Sequence, residues 1–181
     1  VFVLVANACL CCGAIAVAQP RGFETLSGKY VEIVTDLPPN EEIKELVQVF
    51  DAAVPIWCAE FNIDLAKVQN WRATAYLMLA KQRFETAGLI PAELPKFPFG
   101  FQYGDEFWLV EQPSAYYRRH LFLHEGTHWF MSRVYGGNGP PWLMEGMAEW
   151  LGTHTWDDNK LQLGVIPKNK KSVPYWGRLK L

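Results

Sequence analysis

Residues 124–128 read HEGTH and place two histidines four positions apart, with a glutamate directly after the first. Positions i and i+4 of an α-helix lie on one face, about 6 Å apart along the axis, so His124 and His128 can point into the same space. Two imidazoles at this spacing can bind one tetrahedral zinc ion, and Glu125, about 100° around the helix, reaches the side where a metal-bound water lies. The motif alone therefore indicates a candidate zinc site, with Glu125 beside the position of a bound water, but it is not sufficient to establish one.

The same histidines would also suit the core of an ordinary amphipathic helix, because large apolar residues surround them. These are Leu121, Phe122, Trp129 and Phe130. For either histidine alone, a buried structural role is the better interpretation. The pair favours a common ligand, because two buried imidazoles one turn apart are costly to leave without a shared partner.

A catalytic zinc site needs a third protein ligand and a fourth position that stays open to water. A third histidine in the stretch directly after His128 is excluded, because Met131 and Val134 occupy the positions where a glycine and a histidine would be required. The third ligand must therefore come from another part of the chain.

Two glutamates four positions apart, Glu145 and Glu149, follow in the segment WLMEGMAEW. One carboxylate can complete the zinc site, while the other can accept the free ring N–H of a ligand histidine and fix its orientation. A solvated acidic helix face is the competing interpretation, and the apolar neighbours of the two glutamates argue against it. Those neighbours are Leu143, Met144, Met147 and Trp150.

Two consecutive helices are predicted to position these side chains. The first begins at a Ser114 cap and ends at Gly136-Gly137, and the second begins at Pro141, whose fixed φ suits the first helical turn. The tight turn GGNGPP between them would fold the second helix back across the first.

The upstream sequence predicts the remaining elements of an α+β fold. Residues 29–38 and 72–79 have the β-branched, alternating pattern of strands. A helix capped by Asn40 is expected to kink or break at Pro55, a short helix is closed by Gly88, and FGFQY and EFWLVEQ form a hairpin about Gly104-Asp105. The sequence after Trp156 gives no clear prediction.

Length and composition indicate one packed domain. The chain has 181 residues, of which 50% are hydrophobic and 14% aromatic. A net charge of -2 with both signs interspersed argues against nucleic acid as a partner, since such proteins usually carry a basic face.

Residues 1–18 carry no charge and end in Ala16-Val17-Ala18, which resembles a signal-peptidase site. The sequence therefore predicts an exported protein, periplasmic, secreted or at the cell surface, with residues 19–181 as the mature domain. The alternative is an N-terminal apolar anchor that attaches the chain to a membrane. Of 4 cysteines, only Cys58 lies outside this segment, so no internal disulfide is expected, and Cys58 is predicted to be a buried thiol.

At residues 120–152, HEGTH followed by WLMEGMAEW resembles the gluzincin group of zinc metallopeptidases, and more closely the peptidase-MA-like domains of secreted bacterial proteins. The resemblance implies a zincin-like fold, with a small mixed sheet packed on the helix that bears HExxH and a following helix that bears the third ligand. By position it implies His124, His128 and Glu145 as zinc ligands, Glu125 as general base, and Glu149 as the carboxylate behind a ligand histidine.

The activity that the resemblance implies is hydrolysis of a peptide or protein substrate. Zinc lowers the pKa of its bound water to about 7, and Glu125 accepts the proton. Related enzymes also have a Tyr or His that donates to the oxyanion, and here His154 is preferred. The other candidates are His120, Tyr116, Tyr117 and Tyr175.

The resemblance further implies that the strand before the active helix, residues 107–111, pairs with an extended peptide. Because the chain ends soon after the second helix, a C-terminally truncated domain is expected. The alternative function is a catalytically inactive zincin-fold domain that binds a peptide or another partner. The presence of Glu125 favours catalysis, since a structural zinc needs no base. Substrate specificity and oligomeric state stay open.

Overall fold

The structure, a computed structural model, describes residues 22–137 and 139–166. The predicted signal peptide or anchor and Tyr175 lie outside the described residues. In chain order the elements are β1 (Glu24–Ser27), β2 (Val31–Thr35), α1 (Glu41–Glu60), a 3-10 turn (Leu65–Val68), β3 (Ala73–Met78), α2 (Lys81–Thr86), β4 (Gly100–Tyr103), β5 (Glu106–Val110), α3 (Ala115–Tyr135), α4 (Pro141–Gly152), β6 (His154–Asp157) and β7 (Lys160–Leu163).

Five strands form one mixed sheet in the order β1-β2-β3-β5-β4. The three inner strands are parallel, and β1 and β4 pair with their neighbours in the antiparallel direction. Strands β6 and β7 form a separate hairpin. The predicted α+β class is therefore confirmed. None of the helices that the structure describes combines the length and the apolar character needed to cross a membrane.

Strand β5 lies inside the sheet, with β3 on one side and β4 on the other. Its backbone groups are thus engaged on both sides, and the prediction that residues 107–111 offer a free edge to a peptide is wrong. Strand β4 is the outer strand beside β5. The hairpin was predicted correctly, but the order of strands depends on pairing between β3 and β5, which are far apart in sequence.

Helix α1 runs without interruption through Pro55. Asn40 caps it as predicted, its side-chain oxygen accepting a hydrogen bond from the N–H of Ile43 at 2.9 Å. Pro55 lies on the exposed face, while Val54 and Trp57 beside it are fully buried. Packing on both sides of the proline therefore keeps the helix continuous, and the predicted break does not occur.

The core lies between α1, α3 and the sheet, with Phe50 of α1 at its centre. The Phe50 ring contacts aromatic rings from α1, β5 and α3, namely Trp57, Phe107, Phe122 and Trp129. A Cβ atom at Gly126, the glycine of HEGTH, would lie 2.7 Å from Phe50 and 2.9 Å from Trp57. Glycine is required there because the aromatic rings of α1 pack directly against the α3 backbone. Cys58 is buried and free, as predicted.

Strand β1, the 3-10 turn and the β6–β7 hairpin were missed in the sequence. Strand β1 has only four residues, and the β6–β7 hairpin falls partly in the stretch that gave no prediction. Asp158 and Asn159 form its turn with φ values of 50° and 59°. Asp and Asn tolerate this left-handed conformation, so the Asp-Asn pair was the available signal.

Candidate metal centre

Helix α3 presents its histidines on one face because it runs unbroken for 21 residues. The hydroxyl of Ser114 accepts a hydrogen bond from the N–H of Tyr117 at 3.3 Å, and Gly136 ends the helix with φ of 67°. His120, His124 and His128 are thereby stacked at intervals of one turn.

Helix α4 follows a short turn and packs back against α3. Pro141 occupies its first turn, and an apolar contact of Met131 with Met144 and Ala148 joins the two helices. This contact turns Glu145 and Glu149 of α4 toward the histidines of α3. Both predicted motifs therefore meet at one place in the structure.

The three predicted ligands converge. The Nε2 atoms of His124 and His128 are 3.1 Å apart. Glu145 places Oε2 at 3.4 Å from Nε2 of His124 and Oε1 at 3.5 Å from Nε2 of His128. Ligands at 2.0–2.1 Å from a tetrahedral zinc ion are separated from one another by about 3.4 Å. Two imidazoles and a carboxylate at these separations could hold a metal ion, and their spacing is compatible with zinc.

A second set of side chains, His120, His124 and Glu149, also brings three potential ligand atoms within 4.8 Å of one another. The two sets share His124. All three members of the first set line an open cleft together with Glu125, whereas Glu149 of the second set is not part of the cleft lining. The first set is therefore the better candidate for a metal that must meet a substrate.

The cleft has a volume of about 460 Å³, within the usual range for a small-molecule or peptide subsite. Helix α3 forms its floor, β4 and the loop before it form one wall, and the start of α4 forms the other. The lining residues are Pro98, Phe99, Gly100, Phe101, Gln102, His120, Leu121, His124, Glu125, His128, Gly139, Pro141, Met144 and Glu145.

Glu125 lies on this floor and is only 6% exposed. Its carboxylate packs against β4 at Gly100, where a Cβ atom would lie 2.9 Å from Cδ of Glu125 and closer still to Oε1. Burial raises the pKa of Glu125 to about 7, although the neighbouring His124 lowers it. A carboxyl group with this pKa can both accept and return a proton near neutral pH. The role of Gly100 was not predicted from the sequence.

The two predicted histidine ligands titrate in opposite directions. Burial lowers the pKa of His124, but its hydrogen bonds with Glu145 and Glu149 outweigh burial and raise it to about 9. Burial and the adjacent charge of His124 lower the pKa of His128 to about 4. The hydrogen bond with His124 lowers the pKa of Glu145. Without metal, one proton on His124 thus provides the positive charge between these side chains.

His154, the preferred oxyanion donor, lies away from the cleft lining and is 1% exposed. Its Nδ1 contacts the carbonyl of Gly152 at 2.9 Å, and Arg119 donates to its Nε2 at 3.2 Å. The ring stacks on Tyr116 with centroids 4.5 Å apart. Burial lowers the pKa of His154 to about 4. A neutral ring engaged at both nitrogens does not favour the predicted donor role.

Among the other donor candidates within residues 22–137 and 139–166, only His120 lines the cleft. It stands four positions before His124, so the helical spacing that identified HEGTH extends to a third histidine, a signal that the sequence already contained.

Comparison of the chain with known protein families, with curated proteins and with solved structures finds no match. The function proposed below therefore rests on the residues of this chain and their arrangement.

Proposed function

We propose that the protein is a zinc-dependent peptidase of zincin-like fold, in which His124, His128 and Glu145 hold the ion and Glu125 is the general base. The observation that carries this proposal is the convergence of three ligand atoms from two helices, on an open cleft, next to a buried carboxylate. When bound, zinc supplies the positive charge that activates a water molecule and polarises the scissile carbonyl.

Glu125 favours an enzyme over a structural metal site. Its carboxyl group is buried on the cleft floor, and its pKa of about 7 suits a group that takes a proton from the attacking water and gives it to the leaving amine. A structural zinc site is closed by four protein ligands and has no use for such a base. Here three ligands face an open cleft instead.

Strand β4 would align the substrate. The N–H of Val110 donates to the carbonyl of Phe99 at 2.7 Å, so Phe99 faces β5. Because backbone groups alternate along an antiparallel pair, Gly100 and Gln102 direct their N–H and C=O groups away from β5. An extended peptide could pair with these groups whatever its sequence. Phe99, 54% exposed beside the cleft, offers an apolar contact to one substrate side chain.

The test is the metal content of the full chain, purified without chelator. We expect about one zinc per molecule. His128→Ala should lose the ion, and Glu125→Gln should keep it while losing hydrolysis of a quenched peptide library. His154→Gln is the matched control, because it removes the histidine that lies outside the cluster and should keep the zinc.

Circular dichroism of each variant would separate loss of the metal from loss of the fold. A folded wild-type protein without zinc, or zinc retained by His128→Ala, would refute the proposed site. The first result would leave an inactive domain that binds a peptide or another partner as the better interpretation.

A further inference from the structure

Histidines and glutamates alternate along the contact between α3 and α4. The sequence of contacts runs from His128 to Glu145, to His124, to Glu149 and to His120. The last two contacts join Nδ1 of His124 to Oε2 of Glu149 at 3.5 Å, and the same oxygen to Nε2 of His120 at 3.4 Å. Glu149 therefore meets His124 on the ring nitrogen that faces away from the other two ligands.

His120 has a more rigid environment than Glu149. The His120 side chain is 1% exposed, whereas that of Glu149 is 44% exposed. Gly152, at the end of α4, lets the helix approach closely, since a Cβ atom there would lie 3.0 Å from Cε1 of His120. The ring of Tyr116 also stacks with the His120 ring, with centroids 6.2 Å apart. His120 thus offers a buried and closely packed contact to a half-exposed carboxylate.

We propose that His120 is a positioning residue of the metal centre, acting through Glu149 on His124. This inference rests on the proposed zinc site. A histidine that binds a metal through Nε2 carries its proton on Nδ1, and a carboxylate that accepts a hydrogen bond from this N–H fixes the tautomer and the ring orientation. Glu149 can do so only while it is held in place, and His120 holds it by contacting the same oxygen.

The chemistry of imidazole argues against a second metal at His120, His124 and Glu149. A neutral imidazole has one nitrogen that can accept and one that carries a proton. If Nε2 of His124 binds the ion next to Glu145, Nδ1 keeps its hydrogen and can only donate to Glu149. A second ion would require His124 to lose both ring protons, whereas a positioning role requires loss of the Nε2 proton alone and keeps the one on Nδ1.

The experiment measures zinc affinity of the full chain by competition with a chromogenic chelator, and the visible spectrum of the cobalt form. His120→Leu removes the contact to Glu149 and should weaken zinc binding by about tenfold, since loss of an outer partner costs 10–100-fold. His120→Gln keeps an N–H at similar reach and should stay within about threefold of the wild type. The cobalt spectrum should change in His120→Leu and be restored in His120→Gln.

Thr127→Val is the matched control on α3. The buried Thr127 hydroxyl donates to the carbonyl of Leu123 within the same helix at 2.7 Å, so its loss perturbs α3 without removing a link of the histidine–glutamate series. Zinc affinity should not change.

Because His120 should act only through Glu149, the double variant His120→Leu with Glu149→Gln should bind zinc no more weakly than Glu149→Gln alone.

Additive losses in the double variant would overturn the inference, as would equal affinities of the wild type and His120→Leu. Equal losses of zinc affinity in His120→Leu and His120→Gln would also overturn it, because they would indicate that His120 contributes only through packing. Two ions per wild-type chain, the second lost in His120→Leu, would make His120 a ligand instead. A wild-type protein that takes up no metal would refute the zinc site itself, before any variant is compared.

Discussion

Gly100→Ala should disable Glu125 while leaving the three proposed metal ligands intact. The backbone at Gly100 is outside the left-handed region, so alanine is compatible with its conformation. Its Cβ, however, would lie 2.9 Å from Cδ and 3.0 Å from Cγ of Glu125, where ordinary contacts begin at 3.4 Å. Because Oε1 is closer still, the carboxylate must move by about 1 Å, a displacement that can cost about 100-fold in rate.

This loss corresponds to about 2.7 kcal/mol of transition-state stabilisation. We expect this loss in kcat/KM, measured with a set of quenched peptides whose side chains vary. Zinc affinity should stay within about threefold of the wild type, because the three atoms nearest to a Cβ at Gly100 all belong to Glu125 and not to a proposed ligand.

Gly146→Ala is the control for Gly100→Ala. Gly146 lies in α4 beside Glu145, and a Cβ atom there has nothing within 4 Å. This variant should retain full activity and gain up to about 1 kcal/mol of helix stability. Wild-type activity in Gly100→Ala, or loss of zinc in parallel with activity, would refute the assignment of Glu125 as a base held against β4.

Two further predictions concern stability and pH. Gly126→Ala should lower the free energy of unfolding by about 1–3 kcal/mol in urea titrations, because its Cβ would overlap Phe50 and Trp57; an unchanged midpoint would contradict the packing of α1 against HEGTH. Zinc must displace the proton that the raised pKa of about 9 keeps on His124, so affinity should fall about tenfold per pH unit below 9. His128, with a pKa of about 4, is already neutral at pH 7 and adds no proton to this balance. Competition titrations between pH 6.5 and 8.5 would measure the dependence of zinc affinity on pH. A dependence twice as steep, or no dependence, would be inconsistent with one proton on His124 alone.

The candidate site could be predicted because its information is local. HEGTH and the Glu145–Glu149 pair each lie within one helix, Ser114 and Gly136 cap the two ends of α3, and Pro141 begins α4. A fixed spacing in a helix determines a face, and the short turn brings the two faces together.

Three other features could not be predicted because they depend on distant parts of the chain. Strand β5 became an inner strand through its parallel pairing with β3, with α2 and β4 between them in sequence. His154 is buried because Tyr116 and Arg119 of α3 cover it. Gly100 meets Glu125 only once β4 is beside α3. Local residue patterns contain no information on such contacts.

The α3–α4 hairpin also bears on the order of folding. All three proposed ligands lie between residues 124 and 145, so closing this hairpin costs little loop entropy compared with aligning β2, β3 and β5. An ion that bridges the two helices would stabilise a short-range pair of elements before the sheet has its register. Zinc supplied during refolding should then speed the early kinetic phase of refolding. The metal would in that case contribute to the folding nucleus as well as to the proposed chemistry.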